Sequence, residues 1–280
     1  MWAGAADMRR GVLRKMQVSP GNEVCYRLPL GESLIDLQPL LGASVVLEHS
    51  GSIFCINCAR KTSKSFSQGY CYPCFRRLAA CDICIVKPEL CHFDQGTCRE
   101  PDWGQTHCMQ PHVVYLANSS GLKVGITRRS QVPTRWLDQG AIQALPIFEV
   151  AKRHIAGLLE EAMKPFVSDR TDWRRMLKGV PEPIDLVAAR DALLEQAAGT
   201  LDEVIRNREP GQVCQLSEAQ ALVFSYPVRR YPDKVKAHNL DKGPRVEGRL
   251  EGLKGQYLIF DTGVLNIRKF GGYEVTLETG

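Results

Sequence analysis

The sequence predicts an α+β fold in which a cysteine-rich module precedes a small α/β domain, with β-rich, barrel-like regions at both ends. Three observations carry this. Nine of the eleven cysteines fall between Cys55 and Cys108. From His112 onward the apolar spacing passes from strand-like to helical. Short β-prone runs punctuated by glycine fill both ends of the chain. The expected organisation is an N-terminal β-rich region over 1–52, the cysteine-rich module over 53–111, the α/β domain over 112–180, a helical connector over 181–210 and a C-terminal barrel-like region over 211–280. The two terminal β regions are expected to pack together.

Composition bounds the classes open to the chain. With 280 residues, 44% hydrophobic and 24% charged, it has enough apolar surface to fold, which excludes a disordered tail. No run of 18 apolar residues exists, so no membrane span is expected. The first eleven residues mix charge with small side chains and lack the apolar segment of a secretory leader. A cytoplasmic location is the expectation, and CxxC spacing in a reducing compartment reads as metal binding before disulfides. The net charge is +5. Basic residues gather at Arg9, Arg10, Arg14 and Lys15, at Arg60, Lys61, Lys64, Arg76 and Arg77, and at Lys123, Arg128, Arg129 and Arg135. Such clusters suit a phosphate backbone, and they equally suit a solvated surface.

The elements follow in order. Gly11–Val18 and Val24–Leu30 read as strands separated by Ser19-Pro20-Gly21-Asn22, a turn signal, and Val45–His49 reads as a third. Residues 55–110 are rich in loop formers and lack apolar periodicity, so bound metal must supply their folding energy. His112–Ala117 and Leu122–Ile126 flank Asn118-Ser119-Ser120-Gly121 and read as a hairpin. A helix opens near Pro133, a strand covers Ile147–Val150, and Ile155, Leu158, Leu159, Ala162, Met163 and Phe166 fall at helical spacing. Asp185–Ile205 reads as one amphipathic helix broken by Glu209-Pro210-Gly211. Strands return at 221–226, 246–250, 257–260, 263–267 and 273–277, the pattern of a small barrel.

Zinc takes four soft ligands in a tetrahedron, and one CxxC turn supplies two. Cys55-x2-Cys58-x12-Cys71-x2-Cys74 fits a four-thiolate site. Cys81 and Cys84 begin a second, with Cys98 and Cys108 as the favoured partners and Cys91 next; His92 and His107 are further candidates. About two structural zinc ions are thus expected. A cross-braced pairing and an iron–sulfur cluster are the alternatives. Lys61, Lys64, Arg76 and Arg77, interleaved with Phe66, Tyr70, Tyr72 and Phe75, form a nucleic-acid-binding candidate, although the aromatics can equally cover the metal.

A second constellation comprises Tyr115, Lys123, Arg135 and Glu160. Cleaving a phosphodiester takes a base for water, a cation for phosphoryl charge and a metal ligand near the leaving oxygen. Tyrosine or lysine suits the first role, arginine the second and glutamate the third. Each also has a plain structural role: a strand filler, a solvated cation, an ion pair. Thr127, Arg128, Arg129 and Trp136 flank the group as candidate nucleic-acid contacts.

VYLA at 114–117, KVGIT at 123–127, RW at 135–136 and LLE at 158–160 resemble the GIY-YIG nuclease fold. The resemblance implies a catalytic role for Tyr115, Arg135 and Glu160, with Mg²⁺ or Mn²⁺ at Glu160 and Gly125 as the closing glycine of the motif. The family's opening glycine is missing, and its second tyrosine is Lys123 here, as in some restriction enzymes of that fold. Over its full length the chain is similar to DUF2797, a family of bacterial proteins, through GYCYPCF, CDICIVKPELCH, QGTCREPDWG, YLANSSGLKVGITR and KGQYLIFDTGVLNIRK.

Three functions are open to such a chain. It is a metal-dependent phosphodiester hydrolase, a non-catalytic DNA- or RNA-binding module related to tRNA or translation, or a zinc redox sensor that scaffolds a protein partner.

Overall fold

The computed structural model describes residues 7–280. The chain forms two compact units, one built from the residues up to Arg76 with Leu177–Gly179 and Ser225–Gly280, the other from Arg77–Met176 and Val180–Phe224. The architecture is α+β, with three antiparallel sheets among the described residues. The cysteine-rich segment, read from sequence as one module, divides at residue 76, so that its first ligand set lies in one unit and its second in the other.

The first unit begins with β1 (Asp7–Val12), β2 (Gln17–Ser19), β3 (Cys25–Leu30), β4 (Ser33–Asp36), β5 (Ser44–Phe54) and β6 (Lys61–Thr62), followed by α1 (Tyr72–Arg77). The second unit contains α2 (Pro101–His107), β7 (His112–Asn118), β8 (Leu122–Arg128), α3 (Thr134–Asp138), β9 (Gln143–Val150), α4 (Arg153–Met163), α5 (Trp173–Met176), α6 (Leu186–Gln196), α7 (Ala198–Arg206), β10 (Val213–Gln215) and β11 (Leu222–Val223). The chain then returns to the first unit with β12 (Arg245–Lys254), β13 (Tyr257–Phe260), β14 (Gly263–Asn266) and β15 (Tyr273–Thr279).

In the first unit the strand order is β1-β15-β5-β12-β13-β14, with β6 beside β5; β2, β3 and β4 form a separate meander. N-terminal β5 is thus clasped by C-terminal β12 and β15. The barrel expected from sequence does not close among the described strands. The outer edge of β14 is already occupied by the backbone of Lys236–His238: Val264 donates to Lys236 and His238 donates to Val264, at 2.8 and 2.9 Å. With those groups satisfied, β1 has no edge to join, and the sheet ends there.

In the second unit β9 lies between β10 and β7, and β8 pairs the far side of β7. Every residue of β7 is buried. Alternation explains it: Val114 and Leu116 join one apolar cluster with Ile155, Ala156, Leu159 and Met163 of α4, while Val113, Tyr115 and Ala117 join another with Trp136. Both faces of the strand are covered.

The single helix expected over 185–205 is two. Asp185 caps α6 by accepting hydrogen bonds from the amides of Val187 and Ala188, at 3.1 and 3.0 Å. The chain leaves helical geometry at Ala197 (φ −92°, ψ 4°). Thr200 then donates its hydroxyl to the Ala162 carbonyl of α4 at 3.1 Å. Leu193 and Leu201 enter the same core from the two pieces.

Candidate metal centre and polar cluster

The end of β5 delivers Cys55 into a tight turn. Ala59 adopts φ 57°, and its amide donates to the Cys55 carbonyl at 2.9 Å. Cys71 immediately precedes α1, and Cys74 sits on its first turn. The four sulfurs of Cys55, Cys58, Cys71 and Cys74 lie within 4.8 Å of one another. Cys58 and Cys71 are 3.7 Å apart. Zinc–sulfur bonds of about 2.3 Å in a tetrahedron place sulfurs at about 3.8 Å, so the cluster has the size of a zinc tetrathiolate.

The electrostatics agree with the geometry. Burial raises the Cys55 thiol, yet hydrogen bonds from the backbone of Cys58, Cys71 and Asn57 bring it down to about 6. Burial, with the neighbouring thiols, pushes Cys74 up to about 12 even though the Asn57 amide donates to its sulfur at 3.5 Å. Packed thiols cannot all ionise unless a cation compensates them. The chain therefore carries a cysteine cluster able to bind metal.

Beside this centre Phe66 stacks on Phe75 at 5.6 Å and lies 5.5 Å from Tyr72. Lys64 sits over the Phe66 ring at 5.3 Å. Lys61, Lys64, Tyr72, Arg76 and Arg77 are exposed.

A second cavity, with room for one water-sized sphere, is lined by Asp82, Cys84, Cys91, His92, Phe93, Cys98, Trp103 and Cys108 among others. Cys81 is not among its lining residues, although sequence spacing placed it with Cys84. The reason is local. Cys81 ends one 3-10 turn and Cys84 sits in the next, with the extended Asp82 (ψ 156°) between them. Asp82, Cys84 and His92 also bring their donor atoms within 4.8 Å of one another.

Tyr115, Lys123, Arg135 and Glu160 converge in the second unit. Register places Tyr115 opposite Gly125, and Lys123 opposite Ala117, on one face of the hairpin. The charges of Arg135 and Glu160 both reach Tyr115 and Lys123. Burial pushes Lys123 down to about 8, helped by Arg135 and opposed by Glu160. Burial raises Glu160 to about 7 against Lys164, Arg153 and Lys123, with Asp169 adding to the rise. Tyr115 is 0% exposed and donates its hydroxyl to Gln139 at 2.9 Å. Arg135 and Glu160 are half-buried and form the accessible side of the cluster.

Gly125 makes this arrangement possible. A Cβ there would stand 2.7 Å from the Tyr115 hydroxyl oxygen. Spacing alone does not single out Gln139 or Asp169, because their roles depend on how α3 and the loop after α4 return to the hairpin.

The flanking candidates separate. Arg129 is exposed and pairs with Glu149 at 3.0 Å, and Arg128 is half-buried. Thr127 is buried. Trp136 is 1% exposed and packs edge-on against Tyr115 at 5.6 Å. It fills the core and presents no face on which a base could stack, a correction to its reading as a nucleic-acid contact.

No described helix is long and apolar enough to cross a membrane. A search of the curated proteins finds no match, and a search of the solved structures finds none. Residues 42–275 match the family model described as "Protein of unknown function (DUF2797)". With most of its length covered by that match, the chain belongs to the DUF2797 family.

Proposed function

We propose that the protein acts on nucleic acid, using the Tyr115–Lys123–Arg135–Glu160 cluster to cleave a phosphodiester with Mg²⁺ or Mn²⁺. The convergence of these four residues from two strands and two helices is the observation that carries the reading. Its resemblance to the GIY-YIG layout points the same way. Glu160, with Asp169 near enough to raise its pKa, would supply oxygen ligands to the divalent ion. That ion, when bound, would polarise the phosphoryl oxygen. Lys123, with its depressed pKa, would take the proton of the attacking water, while Tyr115, kept protonated by burial and donating to Gln139, would hold its place beside Arg135. Arg135 would balance the charge that builds on the phosphoryl group.

In this reading Cys55, Cys58, Cys71 and Cys74 hold a structural zinc. Lys61, Lys64 and Arg76, with Tyr72 and the Phe66–Phe75 stack, form a phosphate- and base-contacting surface of the first unit, and Arg77, Arg128 and Arg129 are phosphate contacts of the second.

The burial of Tyr115 favours a second reading, in which the cluster holds the fold and the protein binds DNA or RNA without cutting it. One experiment separates them. DNA, RNA and tRNA are incubated with the protein across Mg²⁺ and Mn²⁺, and binding is followed at low and high salt. Cleavage lost in Glu160→Ala and Tyr115→Phe, with binding retained, supports the hydrolase. Salt-dependent binding without any cut supports the second reading. No binding at low salt rejects both.

A further inference from the structure

The second cavity carries an assignment that the sequence spacing did not make. Four cysteines line it, Cys84, Cys91, Cys98 and Cys108. They sense one another: Cys91, together with burial, pushes the Cys84 thiol up, and Cys108 feels the charges of both Cys91 and Cys98. The walls are apolar as well as sulfurous, with Phe93 and Trp103 closing the sides. Gly104 of α2 fits because it has no side chain; a Cβ there would stand 2.8 Å from the Phe93 ring and 3.2 Å from the Cys98 sulfur. The polar groups nearby already have partners. Asp82 accepts from Arg99 Nε at 2.6 Å and lies 3.6 Å from His92 Nε2, while His92 Nδ1 meets the Thr97 hydroxyl at 2.8 Å. A carboxylate held by arginine suits an outer role, orienting its neighbours, better than direct ligation.

The same segment supports α4, the helix that carries Glu160. The Arg153 amide donates to the Cys108 carbonyl at 2.9 Å, and its guanidinium donates to the Ile85 carbonyl at 2.7 Å. His154 Nε2 donates to the Glu89 carbonyl at 3.1 Å, and Lys152 pairs with Asp94. Gly157 packs directly on the backbone of Pro88 and Glu89. Ile85, Pro88 and Glu89 belong to two consecutive short 3-10 turns, Ile83–Ile85 and Pro88–Leu90, a stretch whose Val86 and Leu90 side chains are exposed and do not anchor it.

We propose that Cys84, Cys91, Cys98 and Cys108 hold a second zinc ion, and that this centre fixes the loop on which the helix bearing Glu160 is seated. The ligand set stands independently of the nuclease reading; the functional weight of the seating rests on it. An ion tying four points of residues 84–108 supplies the order that this loop's own contacts do not.

The test uses the full chain and needs no nucleic acid. Native mass spectrometry counts zinc, and zinc X-ray absorption reads its ligands. The wild type is expected to hold two ions with an all-sulfur shell. Cys98→Ser is expected to lose one ion and to speed amide hydrogen exchange along α4. Cys58→Ser should lose one ion without changing α4 exchange, and Cys81→Ser should keep both. A single ion in the wild type overturns the proposal, as does imidazole scattering in the zinc shell or zinc loss in Cys81→Ser equal to that in Cys98→Ser. Unchanged α4 exchange with one ion gone refutes the seating alone. Should Cys98→Ser fail to fold, the wild-type ion count and ligand shell still decide the assignment.

Discussion

Replacing Gly157 of α4 by alanine sets two physical effects against each other. On helix propensity alone the change stabilises by about 1 kcal/mol. The structure predicts the reverse. A Cβ at this position would stand 2.6 Å from the Glu89 nitrogen and 2.6 Å from the Pro88 carbonyl carbon. These are backbone atoms, which cannot rotate aside, so α4 must lift from the Pro88–Leu90 turn. Overpacking costs about 1–3 kcal/mol, and a clash with fixed backbone belongs to the upper part of that range. After the propensity gain the net expectation is a loss of about 1–2 kcal/mol. Urea denaturation followed by circular dichroism measures it, as a lower midpoint at unchanged slope. Gly199→Ala on α7 is the control. Nothing lies within 4 Å of a Cβ there, so it should gain up to about 1 kcal/mol. A Gly157→Ala protein as stable as the wild type, or more so, would refute the close seating of α4 on this turn.

Three further outcomes follow from single contacts. Lys254 is fully buried, donates to the Gly179 carbonyl at 3.0 Å, and burial lowers it from 10.5 to about 8. Between pH 8 and 10.5 the unfolded chain therefore binds more protons than the folded one, and stability rises with pH across that window. Lys254→Met should lessen that rise by roughly 3 kcal/mol, leaving the share of Lys123, in denaturation series run at the two ends of the window. Gly125→Ala should push the Tyr115 ring off β8 and break its bond to Gln139, lowering stability by about 1–3 kcal/mol with a change in the near-ultraviolet circular dichroism of aromatic groups. An unchanged spectrum and midpoint would contradict the close approach. Asp185→Ala removes the N-cap of α6 and should cost about 1 kcal/mol; Asp185→Asn, which keeps an accepting oxygen, should restore most of it.

Some of this protein is written locally. The Cys55–Cys58 and Cys71–Cys74 pairs identify a metal-sized cluster because each pair closes within one turn of chain, and a turn is a property of a few consecutive residues. The hairpin over 112–128 is likewise legible, since alternation and a polar loop are short-range signals. The strands at 246–250 and 257–260 follow for the same reason. Other features depend on distant chain. Whether the terminal strands close into a barrel was decided by Lys236–His238 taking the edge of β14. Whether Trp136 could meet a base was decided by Tyr115 packing against it.

The sequence by itself determined the family, the α+β class and the first cysteine cluster, because these rest on motif, composition and spacing within a turn or a strand. Only the tertiary structure decided which thiols share the second cavity. Cys81 and Cys84 are near in sequence yet fall in separate turns, while Cys91, Cys98 and Cys108 reach the cavity through chain paths that no spacing rule specifies. Tertiary structure also brought Tyr115, Lys123, Arg135 and Glu160 together, since proximity across the 45 residues from Tyr115 to Glu160 depends on how helices pack on a sheet and not on the residues in between.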